Sequence, residues 1–203
     1  MAELIKNGTE FTQSYATHRC TASRGAFLTG RYPFRYGLGT QVIHNQAPHG
    51  LDLNEKLLPE YLKEVGYSTH LVGKWHLGHC NASYHPNARG FDEFYGHFTG
   101  QFSYTEHSFN IFGSPFLDFF HNSKHLPETR GEYSTDLYAA KTIDILKKQE
   151  DPSFIYLSFN APHEPVSAPP YIVQKMMKLH MPFTPLSRLG TVRFVCEANT
   201  YLF

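Results

Sequence analysis

Residues 57–78 read LLPEYLKEVGYSTHLVGKWHLG, and this stretch indicates the fold class. The apolar side chains between 58 and 65 share one broad face at helical spacing, which predicts a helix. Pro59 suits the first helical position and Gly66 suits the residue that ends a helix. Residues 67–72 are β-branched and apolar and are bounded by glycines, so we expect a strand to follow.

The same order of helix and strand occurs again further along the chain. Residues 133–148 have the apolar spacing of a helix, and residues 154–159 (FIYLSF) form a nearly continuous apolar run. Such a run is typical of a strand that is covered on both faces. The repeated alternation predicts an α/β fold with a mostly parallel sheet flanked by helices.

The rest of the chain carries weaker signals. Residues 22–29 are small or apolar and precede Gly30, which predicts one more helix. The other expectations concern less regular segments: a short strand around 11–15, a loop over 31–54, irregular chain over 78–131 and no clear period after 173.

The composition excludes several classes of protein. The 203 residues carry 18 Lys and Arg against 18 Asp and Glu, so no nucleic-acid-binding or polybasic membrane surface is indicated. Hydrophobic residues make up 41% and charged residues 18%, which is typical of a packed domain rather than a disordered chain. The 3 cysteines are too few for a disulfide framework. No apolar run approaches the roughly 18 residues of a membrane-spanning helix.

The chain carries little information about its compartment. Charges at Glu3, Lys6 and Glu10 interrupt any apolar segment of a signal peptide, so we expect none in this chain. Two N-x-[ST] sequons, at Asn7 and Asn81, give a faint indication of a secreted glycoprotein.

Polar side chains next to the predicted elements suit an anionic substrate. Cys20 and Arg24 lie at the start of the helix before Gly30, where the helix dipole and guanidinium groups favour an anion. Lys74 and His76 follow the first strand two residues apart, so an extended segment projects both to one side. His163 follows the second strand. A cation beside an acid–base group suits an oxyanion substrate.

Each of these positions has a plainer interpretation when it is taken singly. The cysteine could be a small buried residue beside surface arginines, the lysine segment an exposed loop, and the last histidine a structural one. Three such positions at the same edge of one sheet favour a shared site.

Longer motifs around these residues resemble the sulfatase family. CTASR at 20–24, followed by LTGR at 28–31, is similar to the signature C-x-[P/A]-S-R…L-T-G-R, with Ala22 in place of the commoner proline. Residues 66–78 match the second signature G-Y-x-T-x-x-x-G-K-W-H-L-G, and NAPHEP at 160–165 resembles the A-x-H-x-P loop. Further stretches resemble the arylsulfatase B-like branch: LLPE at 57–60, RGFD at 89–92 and YSTDL at 133–137.

The resemblance covers about residues 1–172. It implies the central part of a sulfatase N-terminal catalytic domain with an alkaline-phosphatase-like fold, truncated at both ends. Residues 173–203 lie outside the resemblance and form a divergent C-terminal tail.

The resemblance implies a sulfuric ester hydrolase of the arylsulfatase type that depends on formylglycine. Cys20 would be oxidised to formylglycine by the formylglycine-generating enzyme and hydrated to a geminal diol. One hydroxyl would attack sulfur in line, and the second would release sulfate. Arg24 would hold the hydrated aldehyde, Lys74 would clamp the sulfate, and His76 would help to deprotonate the second hydroxyl.

The family further implies a bound Ca²⁺ that polarises the sulfate, with modified Cys20 among its ligands. The other ligands come from an Asp-Asp pair before the cysteine and an Asp-Asn pair well after it. This chain contains neither pair. We therefore expect an incomplete Ca²⁺ site and no catalytic activity in the isolated polypeptide, because Ca²⁺ needs six or more oxygen ligands.

The resemblance also implies roles for two further histidines, a class of substrate and a cellular location. His163 would contact the sulfate and the leaving oxygen, and His107 is a further candidate for substrate contact. The substrate would be a sulfated small molecule or of the glycosaminoglycan type, and the location lysosomal or secreted.

Three other interpretations remain open. The chain could be a non-catalytic oxyanion-binding or regulatory fragment. It could be a phosphohydrolase of the same superfold, although those enzymes normally use Ser or Thr with two metals. It could also be a zinc protein that uses His121 and His125, which have the i, i+4 spacing of a helical metal pair.

Overall fold

A six-stranded sheet forms the centre of the computed structural model, which describes residues 6–9, 11–39, 41–178 and 200–202. In chain order its strands and those of a separate hairpin are β1 (Ser68–Lys74), β2 (Glu93–His97), β3 (Ser108–Ile111), β4 (Ser114–Leu117), β5 (Phe120–His121), β6 (Lys124–His125), β7 (Ser153–Ser158) and β8 (Thr200–Leu202). The sheet order is β6-β5-β2-β1-β7-β8, and β3 pairs with β4 in the separate hairpin. The three central strands β2, β1 and β7 run parallel, whereas β5, β6 and β8 pair antiparallel at the edges.

Among the described residues, the α-helices with assigned bounds are α1 (Cys20–Thr29), α2 (Leu58–Glu64), α3 (Ser134–Lys148) and α4 (Pro170–Lys178). Helix α1 ends at Gly30, whose left-handed backbone lets its N–H donate to the carbonyl of Ala26. Helix α2 begins with Leu58 and Pro59, and the Glu60 carboxylate accepts a hydrogen bond from the Leu57 N–H. Among the described residues, no helix is long and apolar enough to cross a membrane.

Two apolar cores lie on opposite faces of the sheet. In β7, Phe154 and Tyr156 belong to the core on the α1 and α2 side, whereas Ile155 and Leu157 belong to the core on the α3 side. Both faces of this strand are buried, and this burial explains its nearly continuous apolar sequence. The predicted α/β layering and mostly parallel central sheet are confirmed.

The elements predicted around the two helix–strand units lie within about two residues of those observed. The expectation of irregular chain over 78–131 was wrong, because this segment contains β2 to β6 and three short 3₁₀ helices. Its strands have only two to five residues and are rich in His, Asn and Phe, so no period could emerge.

Two further expectations differ from the structure. The strand expected around 11–15 is absent, and this segment lies exposed and without regular structure. Helix α4 forms across residue 173, where the sequence pattern fades, while residues 179–199 lie outside the described residues.

Gly73 and Gly96 are equally closely packed in the centre of the sheet, and we expect Gly73→Ala to prevent stable folding. An added Cβ would lie 2.0 Å from the carbonyl oxygen of Ser158, and the φ of +113° already disfavours a side chain. The loss should exceed about 3 kcal/mol in urea unfolding, since overlap adds to backbone strain.

Gly66→Ala is the matched control, because Gly66 has a φ of +86° and no atom within 4 Å of an added Cβ. It should cost about 1 kcal/mol from strain alone. Equal losses for the two variants would contradict the account of close packing at Gly73.

Candidate active site

The C-terminal ends of β1 and β2 and the loop after β7 meet the N-terminus of α1 around one cavity. The cavity has a volume of about 330 Å³, and three candidates from the sequence line it: Cys20, His76 and His163. Cys20 is the first residue of α1 and is 8% exposed. The preceding residue, Arg19, is extended, and its carbonyl accepts the Ser23 N–H at 2.8 Å, so the helix begins at the cavity wall. Backbone N–H groups of the first helical turn favour an anion at such a position.

Arg24 ties this helix to the two central strands. It lies one turn after Cys20 and is 6% exposed. Its Nη1 donates to the Lys74 carbonyl at 2.9 Å and also contacts the hydroxyls of Tyr156, at 3.4 Å, and Ser158. The guanidinium therefore fixes Cys20 relative to the ends of β1 and β7.

Lys74 is the last residue of β1 and is buried at 2% exposure. Its Nζ donates to the Gly100 carbonyl at 2.7 Å, and Gly100 lines the cavity. Lys74 and Arg24 are not among the residues that line the cavity, but a buried positive charge next to the lining residue Gly100 favours an oxyanion there.

His76 presents a neutral imidazole to the site. Its Nε2 lies 3.0 Å from the Ile43 carbonyl, so this nitrogen carries the proton and Nδ1 keeps its lone pair. Nδ1 is buried and has no hydrogen-bond partner among the described residues. Burial, together with Lys74 and Arg24, holds the pKa of His76 well below its ordinary value. The backbone φ of 54° is rare for a residue other than glycine, and such strain is commonest at functional sites.

His163 lies opposite, in the loop that follows β7. Its Nδ1 donates to the Glu164 carbonyl at 2.8 Å, which leaves Nε2 unprotonated. Tyr104 holds this loop in place, because its hydroxyl donates to the His163 carbonyl at 2.8 Å and also lies 3.2 Å from the Asn160 carbonyl. Burial and the nearby Lys74 lower the pKa of His163.

The structure does not bring His107 into this cavity. Its ring nitrogens lie 2.9 Å from the Thr129 hydroxyl and 3.1 Å from the Glu132 carbonyl. The ring stacks between Phe102 and Phe119 and is 1% exposed. Its position therefore supports a role in packing rather than in substrate contact, and burial lowers its pKa to about 4.

Two segments that the sequence left without a role complete the cavity wall. They are residues 42–46 (VIHNQ) and the pair Gly100–Gln101. The two segments are joined by a hydrogen bond of 3.4 Å from the Gly100 N–H to the Asn45 side-chain oxygen. Sequence reasoning placed both in loops, and only their polar amide side chains hinted at a binding surface.

The described residues do not fit the Ca²⁺ that the resemblance implies. No carboxylate lines the cavity, and the side chains around Cys20 there are Arg19, imidazoles, amides and two aliphatic residues. Within the described ranges, no group of three His, Cys, Asp or Glu residues could hold a metal ion. Ca²⁺ requires several oxygen ligands, so these residues alone cannot hold it.

The zinc alternative also fails on geometry. His121 and His125 lie on the antiparallel strands β5 and β6 rather than on one helix. His121 Nε2 contacts Glu93 at 2.7 Å, and the same carboxylate contacts His70 and Lys141. These contacts form an ion-pair cluster between β1, β2, β5 and α3.

Comparisons with known proteins agree with the motifs. The family model described as Sulfatase matches residues 1–181. Arylsulfatase J of Mus musculus is 37% identical over 171 residues, which cover 82% of this chain and 29% of that protein. N-acetylgalactosamine-6-sulfatase of Homo sapiens is 35% identical over 169 residues, 73% of this chain and 31% of that protein. The chain thus spans about a third of the length of these relatives.

Solved structures share the same fold. Ps i-CgsB is 31% identical with a TM-score of 0.70, over 81% of this chain and 39% of that one. A protein solved in complex with its substrate D-glucosamine-2-N,6-O-disulfate is 24% identical with a TM-score of 0.61, over 85% of this chain and 31% of that one. The second likeness concerns the fold alone. The architecture is accordingly of the alkaline-phosphatase-like type.

We expect His107 to make the protein less stable as the pH falls from about 6.5 to about 4. Its pKa is lowered to about 4, so in this window the unfolded chain binds a proton that the folded chain does not. The free energy of unfolding should therefore fall by up to about 1.4 kcal/mol per pH unit on account of this residue. Urea unfolding across the window measures the slope.

His107→Gln should flatten that slope, whereas His49→Gln, which removes an exposed imidazole, should leave it unchanged. The comparison of variants is needed because Asp118 has the opposite effect on stability. Burial raises the pKa of Asp118, so this residue makes the folded protein more stable as the pH falls. A slope that is identical in the wild-type protein and His107→Gln would contradict the expectation.

Proposed function

The chain belongs to the sulfatase family, and from that premise we propose that its cavity binds the sulfate group of a sulfuric ester within a hydrolase site. One observation carries the proposal. Cys20, at a helix N-terminus, shares a single cavity with two neutral imidazoles, while Lys74 contacts the lining residue Gly100 and Arg24 contacts the Lys74 carbonyl.

Sulfate recognition follows from the positive charge around the cavity and from the direction of its hydrogen-bond donors. The N–H groups at the start of α1 would supply donors to sulfate oxygens, and the ammonium of Lys74, which is bonded to Gly100 of the lining, adds positive charge close to them. The Nη1 group of Arg24 is already hydrogen-bonded within the protein, so Arg24 positions Cys20 and adds positive potential. With no carboxylate lining the wall, the potential favours an anion.

The two histidines supply proton transfer. His76 Nδ1 and His163 Nε2 are unprotonated and can each accept a proton. Their lowered pKa values keep them neutral at pH 7, as a general base requires. An imidazole that takes a proton from the group at Cys20 becomes an imidazolium, which would return that proton to the leaving oxygen, so one proton serves both transfers.

Cys20 is the residue that we propose as the nucleophile after conversion to formylglycine. A hydrated aldehyde at this position supplies the attacking hydroxyl when the modification is present. Cys20 lines the cavity, as an attacking group must, but its 8% exposure in the folded protein favours modification before folding. The partner would therefore be a formylglycine-generating enzyme that acts on the unfolded chain.

The described residues support binding more strongly than turnover. Oxygen ligands for Ca²⁺ are missing from the cavity wall, so we propose that this chain alone binds sulfate but does not hydrolyse sulfate esters. A non-catalytic oxyanion-binding or regulatory role is the second candidate, favoured by the same cationic wall without carboxylates.

The substrate class is inferred from a named relative and from the polar side chains that line the cavity. N-acetylgalactosamine-6-sulfatase, which is 35% identical to this chain, carries a sulfated sugar in its name. We propose a sulfated sugar of the glycosaminoglycan type for this site. A lysosomal or secreted location remains part of the proposal, and both sequon asparagines, Asn7 and Asn81, are exposed as glycan attachment requires.

Lys74→Ala should weaken the binding of inorganic sulfate by about tenfold or more. The variant removes a buried charge-assisted donor, which typically contributes about 1.5–3 kcal/mol. Isothermal titration of the purified chain measures the change. Lys147→Ala, an exposed lysine of α3, is the control and should leave sulfate affinity unchanged. Equal affinities of wild-type protein and Lys74→Ala would remove the proposed role of Lys74.

Purified chain should not turn over an aryl sulfate faster than its Cys20→Ala variant. The measurement is release of the phenol at saturating substrate, with mass spectrometry of the Cys20 peptide to establish whether formylglycine is present. Turnover that Cys20→Ala abolishes would contradict the inactivity of the isolated chain. Such a result would at the same time support the hydrolase.

A further inference from the structure

The mouth of the cavity carries a cation that the proposed chemistry does not use. Arg19 lines the cavity beside Cys20, and its side chain is exposed. Its backbone carbonyl accepts the Ser23 N–H, but its side chain makes no capping bond to α1. Among the described residues, no carboxylate lies within ion-pair distance of the Arg19 guanidinium. The charge is therefore available at the mouth of the cavity.

The surroundings of Arg19 have the chemistry of a sugar-binding rim rather than of an aryl-binding slot. Polar side chains project around the mouth of the cavity: His44, Asn45, Gln46 and Gln101. The chain contains 17 Phe, 13 Tyr and 1 Trp, yet no aromatic ring of these types lines the cavity within the described residues. Amide and imidazole groups recognise hydroxyls, and the lining offers no Phe, Tyr or Trp ring on which a flat aryl group could stack.

Position and charge together assign a ligand to Arg19. Cys20 marks the place of the scissile sulfate, and the neighbouring Cα lies about 3.8 Å away along the chain. The arginine side chain can therefore reach a second substituent of the same sugar ring while the first occupies the inner end of the cavity. A guanidinium recognises sulfate or carboxylate oxygens through two parallel hydrogen bonds.

We propose that Arg19 selects substrates whose sugar carries a second anionic group, a sulfate or a carboxylate, next to the scissile sulfate. This inference rests on the proposed sulfate site and extends it from one anion to two. Arg19 acts in specificity, since it stands outside the set that holds the scissile group. Because it is exposed, its contribution is moderate and falls with salt.

The test compares four ligands on the full 203-residue chain by isothermal titration at low ionic strength. The ligands are inorganic sulfate, D-glucosamine 6-sulfate, D-glucosamine-2-N,6-O-disulfate and a uronic acid monosulfate. We expect the last two to bind wild-type protein about fivefold more tightly than the monosulfated glucosamine, in line with an exposed ion pair. The disulfated glucosamine tests recognition of a second sulfate, and the uronic acid monosulfate tests recognition of a carboxylate.

Arg19→Gln should remove most of that fivefold preference and change the affinity for monosulfated glucosamine much less. Arg19→Lys should keep part of the preference, since it keeps the charge but not the paired geometry. Arg35→Gln is the matched control, because Arg35 is exposed and lies over the Phe34 ring, away from the cavity lining. This control should behave as the wild-type protein.

Two results would overturn the inference and leave the sulfate site intact. One is wild-type protein that binds sulfate but does not prefer the doubly anionic sugars. The other is Arg19→Gln that weakens all four ligands equally. Failure of inorganic sulfate itself to bind would instead overturn the proposed function, and the inference with it.

Discussion

The hydrogen bonds of Arg24 are the constraint on which the site depends. A helix and two parallel strands meet at a sheet edge, and one buried guanidinium joins them by contacting the Lys74 carbonyl and the hydroxyls of Tyr156 and Ser158. Cys20 sits one helical turn away, so these bonds set its distance from the end of β1. All three contacts are made by Nη1, so one nitrogen atom links α1 to the ends of both strands.

Two cations are buried near the cavity, so a bound anion would lower the electrostatic free energy of the folded protein. Lys74 is 2% exposed and Arg24 is 6% exposed, and no carboxylate lines the cavity between the described segments. Their charges lower the pKa of His76, so the imidazole stays neutral beside them. A bound sulfate relieves the repulsion between these groups and needs no proton from the protein. The same balance is the physical reason for the proposal that this cavity binds an oxyanion without a metal ion.

Sequence reasoning located the parts of this site that follow regular elements. Residues 66–78 and 154–163 each combine a buried strand with polar residues at its carboxyl end, so Lys74, His76 and His163 could be placed at one sheet edge. His107 was a candidate only because of the family resemblance. Its ring instead stacks between Phe102 and Phe119. The wall at 42–46 could not be found, because a loop that is held by long-range hydrogen bonds leaves no period in the sequence.

The central claim is that the Arg24-ordered cavity is an oxyanion site, and anomalous diffraction from a crystal soaked in selenate tests it most directly. Selenate has the shape and charge of sulfate, and its selenium gives an anomalous peak. The account predicts a peak in the cavity between the N-terminus of α1 and the Lys74 ammonium group, lost in Lys74→Ala crystals. Selenate peaks on the surface together with an unlabelled cavity would contradict it.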